Sequence, residues 1–238
     1  MKHPLTLIAL AACVSPLPAL AQTKANAPAS PPPIVRVTLT TSAGVITLDL
    51  EAKRAPITTA NFLRYVDQKR FDGTVFYRAM KLDWASGPAG LIQGGTQNDP
   101  KRVLKPIAHE PTSLTGLHHE KGAISMARYA PGTATGDFSI MIADMRGLDA
   151  DPANKDDPAG YAVFGKVSDG MEIVTKIYNS PISTTLGQGF LRGQMIAAPV
   201  KIITARRVKL RVATPVPAPL PTPPLIPPPR ATPPAPAL

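Results

Sequence analysis

The four histidines are the first residues whose types suggest chemistry. His109 precedes Glu110, and His118 and His119 precede Glu120, so nitrogen and carboxylate donors recur side by side. A structural or catalytic zinc needs three or four such donors converging at about 2 Å. Neighbouring residues on a strand point to opposite faces, so His118 and His119 are not expected to share an ion, and no metal is assigned. No Ser-His-Asp set and no pair of carboxylates stands out from the spacing. Cys13 is the only cysteine, which excludes an internal disulfide. Arg78 ends the run Phe76-Tyr77-Arg78, and Gln93 stands before Gly94 and Gly95. Taken alone, Arg78 reads as a surface arginine on a strand, and Gln93 as a turn residue before two permissive glycines.

The elements that must position these residues are mostly strands. Residues 34–50 alternate apolar and polar around Ser42-Ala43-Gly44, with Val35, Val37 and Leu39 on one face and Ile46, Leu48 and Leu50 on another. Period two around a glycine turn predicts a β-hairpin. Thr58 is the expected cap of a helix in which Ile57 staples to Phe62, and Phe62 and Val66 repeat at i, i+4. Further strands are expected over residues 74–79, 123–127, 138–142, 161–167 and 200–204. A second helix is expected from about Ser168, with Met171, Val174 and Ile177 on one face. On the strand at 138–142, Phe138, Ile140 and Ile142 should face the core, and Ser139 and Met141 the other way. Residues 144–160, with Pro152 and Pro158, read as a long loop. Many strands with two well-separated helices predict a mainly β domain, a closed barrel plugged by helices.

Composition divides the chain. Sixteen of its 29 prolines cluster at residues 28–33 and 215–236, and the segment between has ordinary globular composition. Lys2, an apolar run over residues 5–14 and Ala19-Leu20-Ala21 describe a secretory signal peptide. The expected organisation is a leader at 1–21, a Pro-rich linker at 22–33, one domain at 34–212, and an extended polyproline-like tail at 213–238. Cys13 after Leu10-Ala11-Ala12 also resembles a lipobox, so lipidation there competes with cleavage after Ala21. The net charge of +10 gathers at Arg206, Arg207, Lys209 and Arg211. That cluster is either a solvated strand end or a contact for anionic envelope polymers. An exported chain is not expected to meet nucleic acid.

Several stretches then line up with one family. Ala55-Pro56 with the following helix, Phe76-Tyr77-Arg78, Gln93-Gly94-Gly95, Ser125-Met126-Ala127-Arg128, Phe164-Gly165-Lys166-Val167 and Gly170-Met171 occur in this order. Over most of residues 35–204 the chain resembles a bacterial cyclophilin. The resemblance implies a closed eight-stranded antiparallel β-barrel capped by two α-helices. It also implies peptidyl-prolyl cis–trans isomerisation of proline-containing peptides and unfolded exported proteins, with no cofactor.

It further implies that Arg78 is catalytic and that Gln93 holds it and the substrate backbone. Tyr77, Leu91, Arg128, Asp137, Phe138, Ser139, Met141, Leu148 and Tyr161 are assigned to substrate binding. The sequence departs from the family at the ring pocket. Ser139 stands where a phenylalanine is usual, Asp137 where a glutamine is common, and Gly147 where a tryptophan is familiar. Asp137 is expected either to pair with Arg78 or to favour basic substrates. The Arg78–Gln93 spacing is several residues longer than usual, and Trp84 in the extra segment is expected either to anchor that loop over the barrel or to fold back as a substitute aromatic wall. The altered pocket predicts weak cyclosporin binding. It leaves two readings open, an active isomerase and a binding module that holds proline segments but turns them over poorly.

Overall fold

The computed structural model describes residues 34–208. The expected leader, Cys13, the linker, Lys209, Arg211 and the tail lie outside the described residues.

The alternating run at the start of the domain forms a hairpin of β1 (Ile34–Thr41) and β2 (Gly44–Glu51). Val35, Val37 and Leu39 stand opposite Leu50, Leu48 and Ile46, so the two apolar rows form one inward face. The remaining strands are β3 (Val75–Lys81), β4 (Gly90–Gly95), β5 (Ala123–Met126), β6 (Phe138–Met141), β7 (Val163–Asp169) and β8 (Met195–Val208). They close in the order β1-β2-β7-β5-β6-β4-β3-β8, with β8 returning to β1 and every pair antiparallel. Closure leaves no unpaired sheet edge. This is the mainly β, eight-stranded barrel that was expected.

Strand β4 was not expected as a strand, because glycine at three of its six positions reads as loop. Those glycines are needed for close approach. A Cβ on Gly95, at φ +130°, would lie 2.4 Å from Gly136 O and 2.5 Å from an Asp137 oxygen. Strand β8 is longer than expected, and β7 runs on through Ser168 and Asp169, so the second long helix starts only at Met171.

Helix α1 (Pro56–Asp67) does not start at Thr58: its N-cap is Ala55, and Pro56 occupies the first turn. Proline is pre-set for that position and has no N–H to satisfy. The next two amides are capped by Glu110, whose oxygens accept from Ile57 N at 3.1 Å and Thr58 N at 2.6 Å. The Thr58 hydroxyl donates to the same carboxylate at 2.6 Å. A carboxylate here also meets the positive end of the helix dipole. Phe62 of α1 lies 4.9 Å, centroid to centroid, from Phe71 and 5.3 Å from both Phe138 and Phe164. Truncating Phe62 would cost about 3–5 kcal/mol. A single-turn α2 (Thr112–Thr115) follows Glu110, and α3 (Met171–Tyr178) buries Val174, Ile177 and Tyr178.

Candidate active site

The barrel's outward side chains form two rows across neighbouring strands. In one row Met195, Arg78, Gln93, Ser139 and Ser125 stand opposite one another on β8, β3, β4, β6 and β5. In the next, Met80, Leu91 and Met141 follow on β3, β4 and β6. Both rows line one cleft of about 360 Å³. Rows two residues apart are separated by roughly 7 Å. The cleft therefore offers a polar, cationic track beside an apolar one.

A bulge in β3 makes this possible. Phe76 and Ala79 both point into the core, and the register of β3 shifts between Phe76 and Arg78 against β4 and β8 alike. The extra residue turns Tyr77 and Arg78 to the same side, where strict alternation would send them apart.

The Arg78 guanidinium is held by two neutral acceptors. Nη1 donates to Gln93 Oε1 and Nε to Gln194 Oε1, each at 2.8 Å. Phe190 presents its ring 5.6 Å from Arg78 Cζ. No described carboxylate pairs with Arg78, so its charge is not cancelled locally. Burial lowers its pKa from the usual arginine value, yet the group stays charged at any physiological pH. Nη2 makes no hydrogen bond to a described residue and remains available as a donor in the cleft.

Gln93 is fixed in turn, donating from Nε2 to Tyr77 Oη at 2.7 Å. Tyr77 makes a long contact of 3.4 Å to Asp137 Oδ2, and burial beside that carboxylate keeps the phenol protonated. Asp137 does not pair with Arg78. Its Oδ1 accepts the Gln97 N–H at 2.7 Å, and burial raises its pKa against that bond. Only 8% exposed, Asp137 is a supporting group at the end of a chain running Arg78, Gln93, Tyr77, Asp137.

Leu148 and Tyr161 form the far wall, tied by a 2.9 Å bond from Tyr161 N to Leu148 O. Arg128 borders the cleft, but both its Nη groups are committed, and its buried Nε has no partner among the described residues. Nη2 grips both Asp157 oxygens at 2.8 Å and also meets Gly160 O, while Nη1 donates to Tyr129 O at 3.0 Å. Its Cζ stacks 4.6 Å from the centre of the Tyr161 ring, so Arg128 braces the wall. Two expectations fail here. Phe138 is fully buried among the core aromatics and does not reach the cleft, as its inward position on β6 requires. Trp84 is 83% exposed on residues 82–89 and does not fold back over the pocket. The aromatic ring beside Arg78 comes from Phe190 instead.

The histidine pair also differs from expectation. His118 and His119 lie in an irregular segment, and both imidazoles turn to Asp149, His118 Nδ1 at 2.8 Å and His119 Nδ1 at 2.6 Å. His119 Nε2 lies 2.9 Å from Ser125 Oγ, completing a buried Asp149–His119–Ser125 chain that spacing did not reveal. The nearby Met126 N–H is spent on Ala162 O and is not free to bind an oxyanion. Among the described residues no group of three or more His, Cys, Asp or Glu is placed to hold a metal.

Sequence reasoning missed Ser125, His119, Phe190, Gln194 and Met195. Ser125 could have been found by counting outward from Ile124 on β5. Phe190 and Gln194 lie in a glycine-containing segment without periodicity, and only the tertiary fold brings them to Arg78.

Comparison with known proteins agrees with this geometry. The family described as "Cyclophilin type peptidyl-prolyl cis-trans isomerase/CLD" matches residues 36–206. A peptidyl-prolyl cis-trans isomerase of Acinetobacter baylyi is 36% identical over 181 residues, covering 74% of this chain and 87% of that protein. Peptidyl-prolyl cis-trans isomerase A of Dickeya dadantii is 39% identical over 145 residues, 59% of this chain and 70% of that protein. A crystal structure of a Cryptosporidium parvum cyclophilin type isomerase superimposes with a TM-score of 0.60 at 20% identity, covering 75% of this chain and all of that one. The matched residues are those that build the barrel and bring Arg78 and Gln93 together, and the chain belongs to the cyclophilin-type peptidyl-prolyl cis–trans isomerases.

Proposed function

We propose that Arg78 lowers the barrier to rotation about X-Pro bonds by donating from Nη2 to the prolyl nitrogen as it loses conjugation. The peptide C–N barrier is about 18–20 kcal/mol because resonance must be broken. In the twisted state the nitrogen carries a lone pair, which neither planar isomer exposes. A fixed cationic donor therefore stabilises the twisted state preferentially. The apolar track of Leu91, Met141 and Met80, closed by Leu148, takes the ring, and Gln93 orients Arg78. The observation that carries this reading is a half-buried guanidinium held by two neutral glutamine carbonyls with its Nη2 group uncommitted. It favours turnover over passive holding of proline segments. Progress curves on a short Ala-Pro peptide, wild type beside Arg78→Ala, test it. The variant should lose about 10²–10³-fold in rate, and equal rates would leave the holding role.

The substrates are unfolded exported polypeptides, and the site of action is the periplasm or the envelope. Lys2, the apolar run at residues 5–14 and Ala19-Leu20-Ala21 support export. Mass analysis of the mature protein tests this: a chain beginning at Gln22 supports a free periplasmic form, a diacylated Cys13 an anchored one, and an intact Met1 overturns export.

A further inference from the structure

We propose that the polar half of the cleft floor, Ser139 with Ser125 behind it, is a hydrogen-bonding subsite for a hydroxyl carried by the residue in the ring pocket. A 4-hydroxyprolyl residue is then accepted at least as well as proline. The inference rests on the isomerase reading of the cleft and specifies its substrate.

Ser139 is only 8% exposed and lines the cleft, yet its hydroxyl has no hydrogen-bond partner among the described residues. The hydroxyl opens on the cleft and is not sealed inside the protein, so a ligand group there can pair with it in place of solvent. Directly opposite on β5 stands Ser125, so the two side chains leave their strands about 4.5–5.5 Å apart. One hydroxyl between them can reach both oxygens.

The hydrogen-bonding sense of Ser125 is set from behind. Asp149 accepts from His119 Nδ1 at 2.6 Å, which puts the imidazole proton on Nδ1 and leaves Nε2 as an acceptor. Ser125 Oγ, 2.9 Å from Nε2, then donates to it, and its lone pairs are left for a donor in the cleft. Its 3.2 Å contact with Ala162 O is the longer of the two. Ser139, unpaired, can either donate or accept. The floor thus offers an oriented acceptor and a free hydroxyl, the complement of an alcohol. The apolar row of Leu91 and Met141 lies alongside to cover the ring carbons.

The test compares catalysed isomerisation of matched Ala-Pro and Ala-4-hydroxyPro peptides, both ring epimers included, by wild type, Ser139→Ala, Ser125→Ala and Ser139→Phe. The readout is the ratio of kcat/KM for hydroxyprolyl over prolyl on each protein sample, which cancels any loss of folded protein. For wild type the ratio should be one or more with at least one epimer. It should fall about fivefold in Ser139→Ala and in Ser125→Ala, and by tenfold or more in Ser139→Phe. A ratio that is the same in wild type and all three variants overturns the subsite while leaving the isomerase reading in place. No turnover of either peptide by wild type overturns both.

Discussion

Gln194 Oε1 lies 2.8 Å from Arg78 Nε although 116 residues separate them in sequence. With Gln93 on the other side, this bond leaves the guanidinium little freedom except toward the cleft. Its neutrality matters as much as its position. A carboxylate there would cancel the charge that the twisted prolyl nitrogen requires. Gln194→Glu should therefore reduce kcat by about tenfold while changing peptide affinity little, because an added ion pair weakens a donor needed only in the transition state. Gln194→Ala should reduce kcat less. Saturation kinetics on an Ala-Pro peptide check both, and a change confined to KM would assign Gln194 to ground-state binding.

The Glu110 cap is a stability feature remote from the cleft. Glu110→Ala would leave the Ile57 and Thr58 amides and the Thr58 hydroxyl without their acceptor in a buried setting. A loss of about 1–3 kcal/mol in urea unfolding is expected, with kcat of the folded fraction unchanged.

Stability should fall in two steps as pH drops. Burial holds the His119 imidazole below its ordinary range, against the pull of Asp149. The unfolded chain then takes up the proton first, so stability is full above about pH 6.5 and declines beneath it. Asp49 is held low by its bond from Arg36 and Asp72 by its bond from Arg206. Asp149 is also low, because bonds from His119 and His118 outweigh its burial. These three carboxylates contribute stability that is lost as pH falls below about 3.9. Urea midpoints at about pH 7.5 and 5.5 should differ for wild type and much less for His119→Gln.

Trp84 is the single tryptophan and is 83% exposed. Its fluorescence should be that of a solvated indole and should not respond to proline peptides. Trp84→Ala should leave stability within about 0.5 kcal/mol and activity intact, whereas Phe190→Ala should weaken peptide binding several-fold. A spectral shift on peptide addition would return Trp84 to the cleft wall.

The sequence was most legible where one strand's own pattern decides the structure. Val37 and Leu39 against Ile46 and Leu48 follow from period two, as does the inward Phe138 beside an outward Ser139. Legibility ended where a neighbour overrides the local pattern. The glycines of β4 look like loop until Phe76 and Gly136 are seen pressing on them. Tyr77 and Arg78 share a face only because of a bulge that shows in the pairing and not in the spacing. The Thr58 cap looked local, but a carboxylate 52 residues away supplies it. Asp149, His119 and Ser125 likewise converge through the fold, and no spacing rule anticipates such a meeting. Arg206 and Arg207 of the basic cluster are partly neutralised by Asp72 and Asp67, a pairing equally hidden in sequence.

The most direct measurement separates turnover from binding in Arg78→Ala, with the peptide Kd from titration calorimetry and the exchange rate of the same bound Ala-Pro peptide from NMR line shapes. The account predicts a Kd within a few-fold of wild type and cis–trans exchange on the protein slowed by about 10²–10³-fold. Exchange as fast as wild type, at whatever affinity, would contradict it.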